Sequence, residues 1–221
     1  EIYTLSLHDA LPISTSGTVV TDAGSTKAYL WNEIPSRLPE GVYYVSGHPM
    51  TGKEKSGVEA ADKDLFRHKC YVLMEETTAP PEDYQRVADL VKLTGANLTT
   101  LDVKCHDRCA SVISHVPHVT ASALVTLLSR SGGDIAAALK LTGGGFKDTT
   151  RIASSNADMW ADICLTNSEA IAGHLRHLVG ILGEVVEAVE AGDRAALYDY
   201  FTAAKEDRKS TRLNSSHQPL S

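Results

Sequence analysis

Basic charge, cysteine and long apolar runs are all scarce in this sequence, and each shortage excludes a class of protein. The 221 residues carry a net charge of −7, and no basic stripe with interleaved aromatic residues occurs, so we expect no nucleic-acid partner. No uninterrupted apolar run approaches the roughly 20 residues that cross a bilayer, so we expect no membrane partner. Four scattered cysteines indicate no disulfide framework, and a cytoplasmic setting is expected.

The two ends do not resemble sequence selected to fold. The opening EIYTLSLHDALPI and the closing DRKSTRLNSSH resemble in-frame translations of common sequencing-library adapters. We therefore expect residues 1–14 and 207–221 to be artefacts and exclude them from interpretation of the fold. On this interpretation the genuine sequence is 15–206, and the gene was cut at both ends.

Strand and helix patterns alternate in the first half of the genuine sequence. Short β-branched or aromatic runs predict strands at 17–22, 42–45, 70–74 and 97–103. Helix-compatible segments at 25–38 and 82–94 lie between them, and Pro35 is expected to end the first. This alternation predicts an α/β domain over 15–103 with an at least partly parallel sheet.

The pattern changes near Lys104, after which helix formers dominate, and we predict an all-helical domain over 104–206. The clearest helix runs from Asn167, a plausible N-cap, to just before Gly192, and Asp193 is expected to cap the next helix. Its apolar residues have heptad-like spacing: Ile171, Leu175, Leu178, Leu182, Val185 and Val189. Such a stripe packs within a bundle or forms a subunit interface, and the spacing does not separate the two.

Two segments of the first domain contain residues suited to chemistry. VTDAGSTK places Asp22, Gly24 and Ser25 directly after a predicted strand, where ligands bind in open α/β sheets, although the same letters also form ordinary turns. GHPMTGKEKSGVEAA, predicted as a loop, contains His48 and Glu54. A histidine there can accept a proton near neutral pH, or it can be a turn residue bonded to backbone.

The helical half contains two further candidate segments. HDRCASVISHVPH places His115 and His118 on one helix face if Pro117 permits a helix. The histidine and cysteine spacings fit no usual zinc pattern, so we predict no metal, and Cys105 and Cys109 are expected to be small core residues.

GGGFKDTTRIASSNADMW is predicted to begin as a flexible loop, and it contains Arg151 and Trp160. Arginine suits bidentate binding of a carboxylate. A surface arginine with a core tryptophan is the alternative. The triple glycine lacks the G-x-G-x-x-G spacing of a dinucleotide site.

In this order, the four segments resemble the signature segments of the prephenate dehydrogenase family. The resemblance implies a partial Rossmann-type nucleotide-binding domain followed by an all-helical domain that forms a homodimer. It further implies oxidative decarboxylation of prephenate to 4-hydroxyphenylpyruvate, with hydride transfer to NAD or NADP. Arogenate dehydrogenase chemistry remains an alternative, because these residues do not separate the two substrates.

The resemblance also assigns residue roles. His48 would accept the proton of the substrate hydroxyl and Ser25 would orient the pair, while Arg151 would hold a substrate carboxylate. The other site residues would be His115, His118, Glu54 and Trp160 around the substrate and, near the cofactor, Asp22 and Gly24. The glycine-rich phosphate loop would belong before residue 15. We therefore expect the chain as given to bind cofactor poorly and to be inactive, which leaves a helical dimerisation module as a further alternative.

Overall fold

A computed structural model describes residues 14–52, 58–132 and 135–210 of the chain. Most of the two adapter-like ends lies outside these ranges, and their interpretation as artefacts stays a prediction. Glu54 also lies outside them, and its expected place at the pocket mouth stays a prediction.

The described part of the first half forms a mixed sheet of four strands in the order β1-β2-β3-β4. The strands are β1 Val19–Thr21, β2 Tyr43–Pro49, β3 Cys70–Thr77 and β4 Asn97–Leu101. β1 pairs in parallel with β2 and β3 in parallel with β4, whereas β2 and β3 are antiparallel. All four predicted strands are present, and the sheet is partly parallel as predicted.

The second strand is longer than predicted, and this changes the setting of His48. The Gly-His-Pro sequence predicts a loop after Val45, but β2 continues to Pro49. The extension pairs with β3, His48 opposite Val72 and Pro49 opposite Tyr71, and the register shifts between Val45 and Gly47. His48 therefore lies on a strand whose neighbour fixes it, and the prediction of a loop there is wrong.

Two helices flank the strands. α1, Ala28–Glu33, ends before Pro35, which begins a short 3₁₀ turn. α2, Pro81–Leu93, begins with proline at its first position. The N–H that proline lacks would have no hydrogen-bond acceptor within the helix at that position. Its buried side chains Val87, Ala88 and Val91 pack against Val45 and Leu73 to form a core cluster. Full burial of a valine or leucine side chain stabilises a fold by about 1.5–3 kcal/mol, so this cluster anchors β2 and β3.

A single helical run begins where the sheet ends. α3, Val103–Ala110, leads through a π-helical turn, Ser111–His115, into α4, Val116–Arg130. Asp102 caps α3 by accepting a hydrogen bond from the backbone N–H of Cys105 at 2.8 Å. Pro117 falls in the first turn of α4, directly after the π-helical turn, and the helical run continues to Arg130.

The run Val103–Arg130 is long and apolar enough, by length and composition alone, to cross a membrane. Histidine, serine and threonine interrupt its apolar sequence. Because polar and charged residues interrupt this run, the expectation of no membrane partner stays a prediction. One such helix is weak evidence for a membrane, because core helices of soluble proteins have the same composition.

The remaining described helices are α5 Ile135–Lys140, α6 Gly144–Thr150, α7 Ala157–Thr166, α8 Ser168–Glu190 and α9 Arg194–Ser210, with a 3₁₀ turn at Arg151–Ser154. The prediction of a flexible loop at the triple glycine is wrong, since Gly144 and Gly145 begin α6. Cys105 and Cys109 are also not core residues. Cys109 is exposed and Cys105 is half-buried, because they lie on the outer side of α3.

The chain divides into two compact units, residues 1–172 and 173–221. In the second unit α8 ends at Glu190, and Gly192 just beyond it adopts a positive φ of 65°. Asp193 accepts a hydrogen bond from the N–H of Ala196 at 3.0 Å and begins α9. Both helix boundaries follow the prediction. Leu182 and Val189 of the apolar stripe are exposed. The expected domain boundary near residue 104 stays a prediction.

Candidate active site

A cavity of about 370 Å³ opens at the carboxyl end of β2. Its volume lies within the range of roughly 300–1,000 Å³ that is typical of small-molecule sites. The residues that line it are Ser25, His48, Met50, Thr51, Gly52, Ile113, Ser114, His115, Met159, Trp160 and Ile163. The wall thus combines the ends of the sheet with the π-helical turn and α7.

The segment after β1 forms a polar network under this cavity. The carboxylate of Asp22 accepts hydrogen bonds from the N–H of Gly24 at 2.7 Å and the hydroxyls of Tyr44 and Ser46 at 2.6 and 2.8 Å. It also forms an ion pair with Lys27. Burial alone would raise the pKa of Asp22, but the charge of Lys27 and these hydrogen bonds outweigh it and hold that pKa below its usual value. Internal donors therefore occupy the carboxylate.

Lys27 is a fully buried cation that connects β1 to β2. Its ammonium group pairs with Asp22 and donates to the carbonyl oxygen of Gly47 at 2.7 Å. Burial lowers the pKa of Lys27, and the negative charge of Asp22 opposes that shift. Because Gly47 directly precedes His48, this contact fixes the backbone that carries the histidine.

Position 47 leaves little room for a side chain. A Cβ there would lie 2.9 Å from Cε1 of Tyr71 and 3.0 Å from Cδ2 of Leu73, so one or both of these side chains would have to shift. The close packing of Gly47 against β3 keeps the two strands together beside the cavity. The position of His48 is therefore fixed by the pairing of β2 with β3.

His48 contacts a second histidine, which in turn contacts an aspartate. Nδ1 of His48 lies 2.9 Å from Nε2 of His106, and Nδ1 of His106 lies 2.8 Å from the carboxylate of Asp107. Burial, together with the proximity of His106 and Lys27, lowers the pKa of His48 to about 3. The His48 imidazole is therefore neutral at neutral pH and can accept a proton.

Asp107 also caps α1. Its carboxylate accepts hydrogen bonds from the backbone N–H groups of Lys27 at 2.8 Å and Ala28 at 2.9 Å. Burial would raise the pKa of Asp107, but the hydrogen bonds from His106, Ala28 and Lys27 outweigh it and lower that pKa. One carboxylate thus joins the helical run to the segment that contains Ser25.

The other side of the cavity is built from His115, His118 and Trp160. Trp160 stacks on His118 with ring centroids 3.5 Å apart, and its edge meets His115 at 6.1 Å. Asn167 directs its side-chain amide at Nδ1 of His115, 3.2 Å away, and at the carbonyl oxygen of Asp107, 2.8 Å away. Burial lowers the pKa of His115 to about 4 and also lowers that of His118.

The structure brings together four of the residues predicted from the sequence, because Ser25, His48, His115 and Trp160 line one cavity. His118 lies behind that wall, stacked on Trp160. Arg151 is exposed at the start of its 3₁₀ turn and is not among the described residues that line the cavity.

Asp22 and Gly24, predicted near the cofactor, take part in the network below the cavity. A Cβ on Gly24 would lie 2.8 Å from Cδ1 of Leu30, so the glycine permits packing of the turn. Within the described ranges, no group of three or more potential ligands could hold a metal ion.

The sequence analysis predicted Asn167 only as an N-cap and assigned no role to Lys27, His106 or Asp107, although all four support the cavity. One signal was available for two of them. The dipeptide His106-Asp107 lies in the first helix after a strand, where a buried histidine can reach the end of the sheet. Lys27 and Asn167 gave no such signal, because a lysine in a turn and an asparagine before a helix are usually exposed.

Comparison with known proteins gives two matching family models. Residues 5–100 match the nucleotide-binding domain of prephenate dehydrogenase, and residues 102–203 match its dimerization domain. The prephenate dehydrogenase of Bacillus subtilis is 35% identical over 86% of this chain, and that of Lactococcus lactis is 34% identical over 99%. The chain covers 51% and 58% of these two enzymes, so it spans little more than half the length of these curated relatives.

A solved structure shows the same fold. It is a prephenate dehydrogenase from A. aeolicus in complex with hydroxyphenyl propionate and NAD+, 30% identical, with a TM-score of 0.82. The match covers 93% of this chain and 71% of that one. The predicted fold class, a Rossmann-like region followed by a helical dimerization domain, is confirmed. The chain therefore belongs to the prephenate dehydrogenase family.

Proposed function

We propose that this chain supplies the substrate pocket and the proton acceptor of an NAD- or NADP-dependent dehydrogenase that converts prephenate to 4-hydroxyphenylpyruvate. The observation that carries the proposal is the single cavity lined by His48, Ser25, His115 and Trp160. The loss of carbon dioxide and hydride makes the substrate ring aromatic, so the protein mainly has to position the substrate and hold the hydroxyl proton until it returns to the oxygen of the product.

His48 is the proposed proton acceptor. Its buried, neutral imidazole lines the cavity and can take the proton from the substrate hydroxyl. Ser25, half-buried on the same wall, is proposed to orient the hydroxyl by a hydrogen bond. The fixed strand position of His48 supports this role, because a base must lie within hydrogen-bond reach of the proton that it abstracts.

The substrate ring is proposed to pack against the wall formed by His115 and Trp160, where His118 stacks on the tryptophan. We propose that Arg151 binds a carboxylate of the substrate through its planar guanidinium group. The turn that begins at Arg151 packs against α4, the helix that contains His118. Glu54 remains a proposed residue of the pocket mouth.

The described residues suit the nicotinamide end of a cofactor. The cavity lies at the carboxyl ends of the parallel pair β1 and β2, where open α/β sheets bind ligands, and Ser25, Thr51 and Gly52 would hold the ring there. When bound, the cofactor accepts the hydride that leaves the substrate. Asp22 and Gly24 would not touch the cofactor themselves; they would hold the turn that lies beneath the nicotinamide ring. We leave NAD and NADP as alternatives.

The proposal extends to a cytoplasmic homodimer with its domain boundary near residue 104. The match of 102–203 to a dimerization-domain model supports both the dimer and the boundary. The exposed apolar residues of α8 and α9, among them Val179, Leu182, Val186 and Phe201, support an interface between subunits.

The test is a turnover assay on the complete gene product. Prephenate and arogenate would each be supplied with NAD and with NADP, and reduced cofactor, carbon dioxide and the aromatic product would be measured. We expect turnover of prephenate that the substitution His48→Asn removes. A preference for arogenate would establish the alternative substrate. Turnover of neither compound would overturn the proposed function and favour a dimerisation module without activity.

A further inference from the structure

The two histidines that line the cavity are held by different partners at the same ring atom. Nδ1 of His48 faces the imidazole of His106 at 2.9 Å, whereas Nδ1 of His115 faces the amide nitrogen of Asn167 at 3.2 Å. A neutral imidazole carries its proton on one nitrogen, and the partner of the other nitrogen decides which. The partners therefore determine what each histidine offers to a ligand.

The partner of His48 accepts a hydrogen bond. The carboxylate of Asp107 has only acceptor atoms, so Nδ1 of His106, 2.8 Å away, donates to it. In neutral His106 the other nitrogen, Nε2, then carries a lone pair. Nδ1–H of His48 donates to that lone pair, and Nε2 of His48 carries the lone pair that can accept a proton.

The partner of His115 donates a hydrogen bond. The amide nitrogen of Asn167 also lies 2.8 Å from the carbonyl oxygen of Asp107, which fixes the amide with its N–H groups toward both acceptors. Nδ1 of His115 must then accept, and its proton lies on Nε2. His115 therefore offers a donor and His48 an acceptor in one cavity.

We propose that His106, Asp107 and Asn167 are positioning residues that hold His48 and His115 in opposite tautomers, a proton acceptor and a hydrogen-bond donor. This inference rests on the proposed function for its catalytic consequence but not for the tautomers themselves. When His48 takes the hydroxyl proton, the substrate O–H bond breaks, an Nε2–H bond forms on His48, and the electron pair left on the oxygen forms a C=O bond as the hydride departs. The positive charge that results on His48 lies beside His106 and the Asp107 carboxylate. The same proton returns to the oxygen when loss of carbon dioxide makes the ring aromatic.

The charged and titratable groups around His48 are those of the whole network. His106 faces it from α3, His115 from the π-helical turn, and Lys27 and Asp22 from the segment after β1. Lys27 and Asp22 form an ion pair, so their opposite charges largely cancel at His48. The direct contact with His106 therefore determines which nitrogen of His48 carries the proton.

The first test is spectroscopic and needs no turnover. Imidazole ¹⁵N–¹H correlation spectra of the 221-residue chain distinguish a proton on Nδ1 from one on Nε2, and His48→Asn and His115→Asn assign the two rings. We expect the proton on Nδ1 of His48 and on Nε2 of His115. The same tautomer in both rings, or a proton on Nε2 of His48, would overturn the proposal.

The second test uses Asn167→Leu, which removes the donor at Nδ1 of His115 and leaves the partners of His48 in place. Asp107→Asn is less decisive, because both oxygens of Asp107 also accept backbone N–H groups. In Asn167→Leu we expect the proton of His115 to divide between its two ring nitrogens, while the proton of His48 stays on Nδ1. A His115 proton that remains confined to Nε2 in this variant would overturn the role of Asn167.

The third test separates positioning from a merely structural role. In His106→Gln the side-chain amide can still donate to Asp107 and accept from His48, whereas His106→Leu can do neither. We expect the glutamine variant to keep the wild-type tautomer of His48 and most of the activity, and the leucine variant to lose both. The exposed His68→Gln is the matched control and should change nothing. Correct tautomers without turnover of either substrate would retain this inference and reject the proposed function.

Discussion

Lys27 and Asp22 form an ion pair in which the lysine side chain is fully buried and only 17% of the aspartate side chain is exposed. Removing one member of such a pair leaves an uncompensated buried charge, which typically costs about 3–5 kcal/mol. We expect Lys27→Met to lower the free energy of unfolding by that amount, measured by urea denaturation. The exposed pair of Arg37 and Glu33 is the control.

Arg37→Ala should cost less than about 1 kcal/mol, because solvent screens an exposed pair. Equal losses in the two variants would show that the ammonium of Lys27 is hydrated in solution.

The substitution His48→Asn tests the proposed base. Asparagine keeps a polar side chain of similar size but cannot take up a proton near neutral pH. General-base catalysis contributes about 10²–10⁴-fold to rates, so we expect kcat to fall by that factor while KM changes only a few-fold. Steady-state kinetics on the complete gene product would measure this, and a change confined to KM would contradict the role.

Arg151→Ala tests the proposed carboxylate anchor. A charge-assisted hydrogen bond is worth about 1.5–3 kcal/mol, so we expect KM for prephenate to rise about 10–100-fold with a smaller effect on kcat. Arg151→Lys should recover only part of the loss, because lysine cannot bind a carboxylate bidentately. Arg130→Ala, at the end of α4, provides a matched exposed arginine. Similar kinetics for the two alanine variants would remove Arg151 from the site.

Stability should depend on pH through the buried histidines. Burial lowers the folded-state pKa of His115 from 6.5 to about 4 and that of His48 to about 3. Below pH 6.5 the unfolded chain therefore binds protons that the folded protein does not, and stability falls as the pH drops. The slope is at most about 1.4 kcal/mol per pH unit for each histidine.

Urea unfolding between pH 7 and pH 5 measures this slope, in a range where the lowered pKa values of Asp22 and Asp107 contribute little. His115→Gln should make the dependence shallower, while His68→Gln, at an exposed site, should leave it unchanged. A dependence equally steep in both variants would show that His115 is protonated in the folded protein.

Gly24→Ala tests the packing of the turn beneath the cavity. Its Cβ would lie 2.8 Å from Cδ1 of Leu30 and 3.1 Å from the carboxylate of Asp22, so we expect a loss of about 1–3 kcal/mol in the free energy of unfolding. Gly180→Ala in α8 has open space around its Cβ and should stabilise the helix by up to about 1 kcal/mol. Comparable thermal shifts in the two variants would contradict the close contact.

The sequence predicts the strands, the change to helices and four of the eleven residues that line the pocket, because these depend on local patterns. β-branched runs, capping residues and a glycine after a helix act within a few positions of the chain. Ser25 and His48 were predictable because each follows or ends a strand at the edge where ligands bind.

The residues that hold the pocket-lining side chains in position were not predictable in the same way, because their role depends on contacts between segments that are distant in the sequence. Asp107 meets the N–H groups of Lys27 and Ala28, and Asn167 reaches back to His115. No local pattern distinguishes these buried polar residues from exposed ones. The extension of β2 through His48 was missed for a related reason, since pairing with β3 overrides the loop tendency of Gly-His-Pro.

The π-helical turn at Ser111–His115 changes the direction in which the histidines of the long helix point. Successive residues of a regular α-helix are about 100° apart around its axis, so His118 would point about 120° away from His106. One additional residue in the turn offsets one such step and returns His118 to within about 20° of His106. Deleting a single residue here would rotate His118 away from Trp160, so the length of this turn is as important to the pocket as its amino acids.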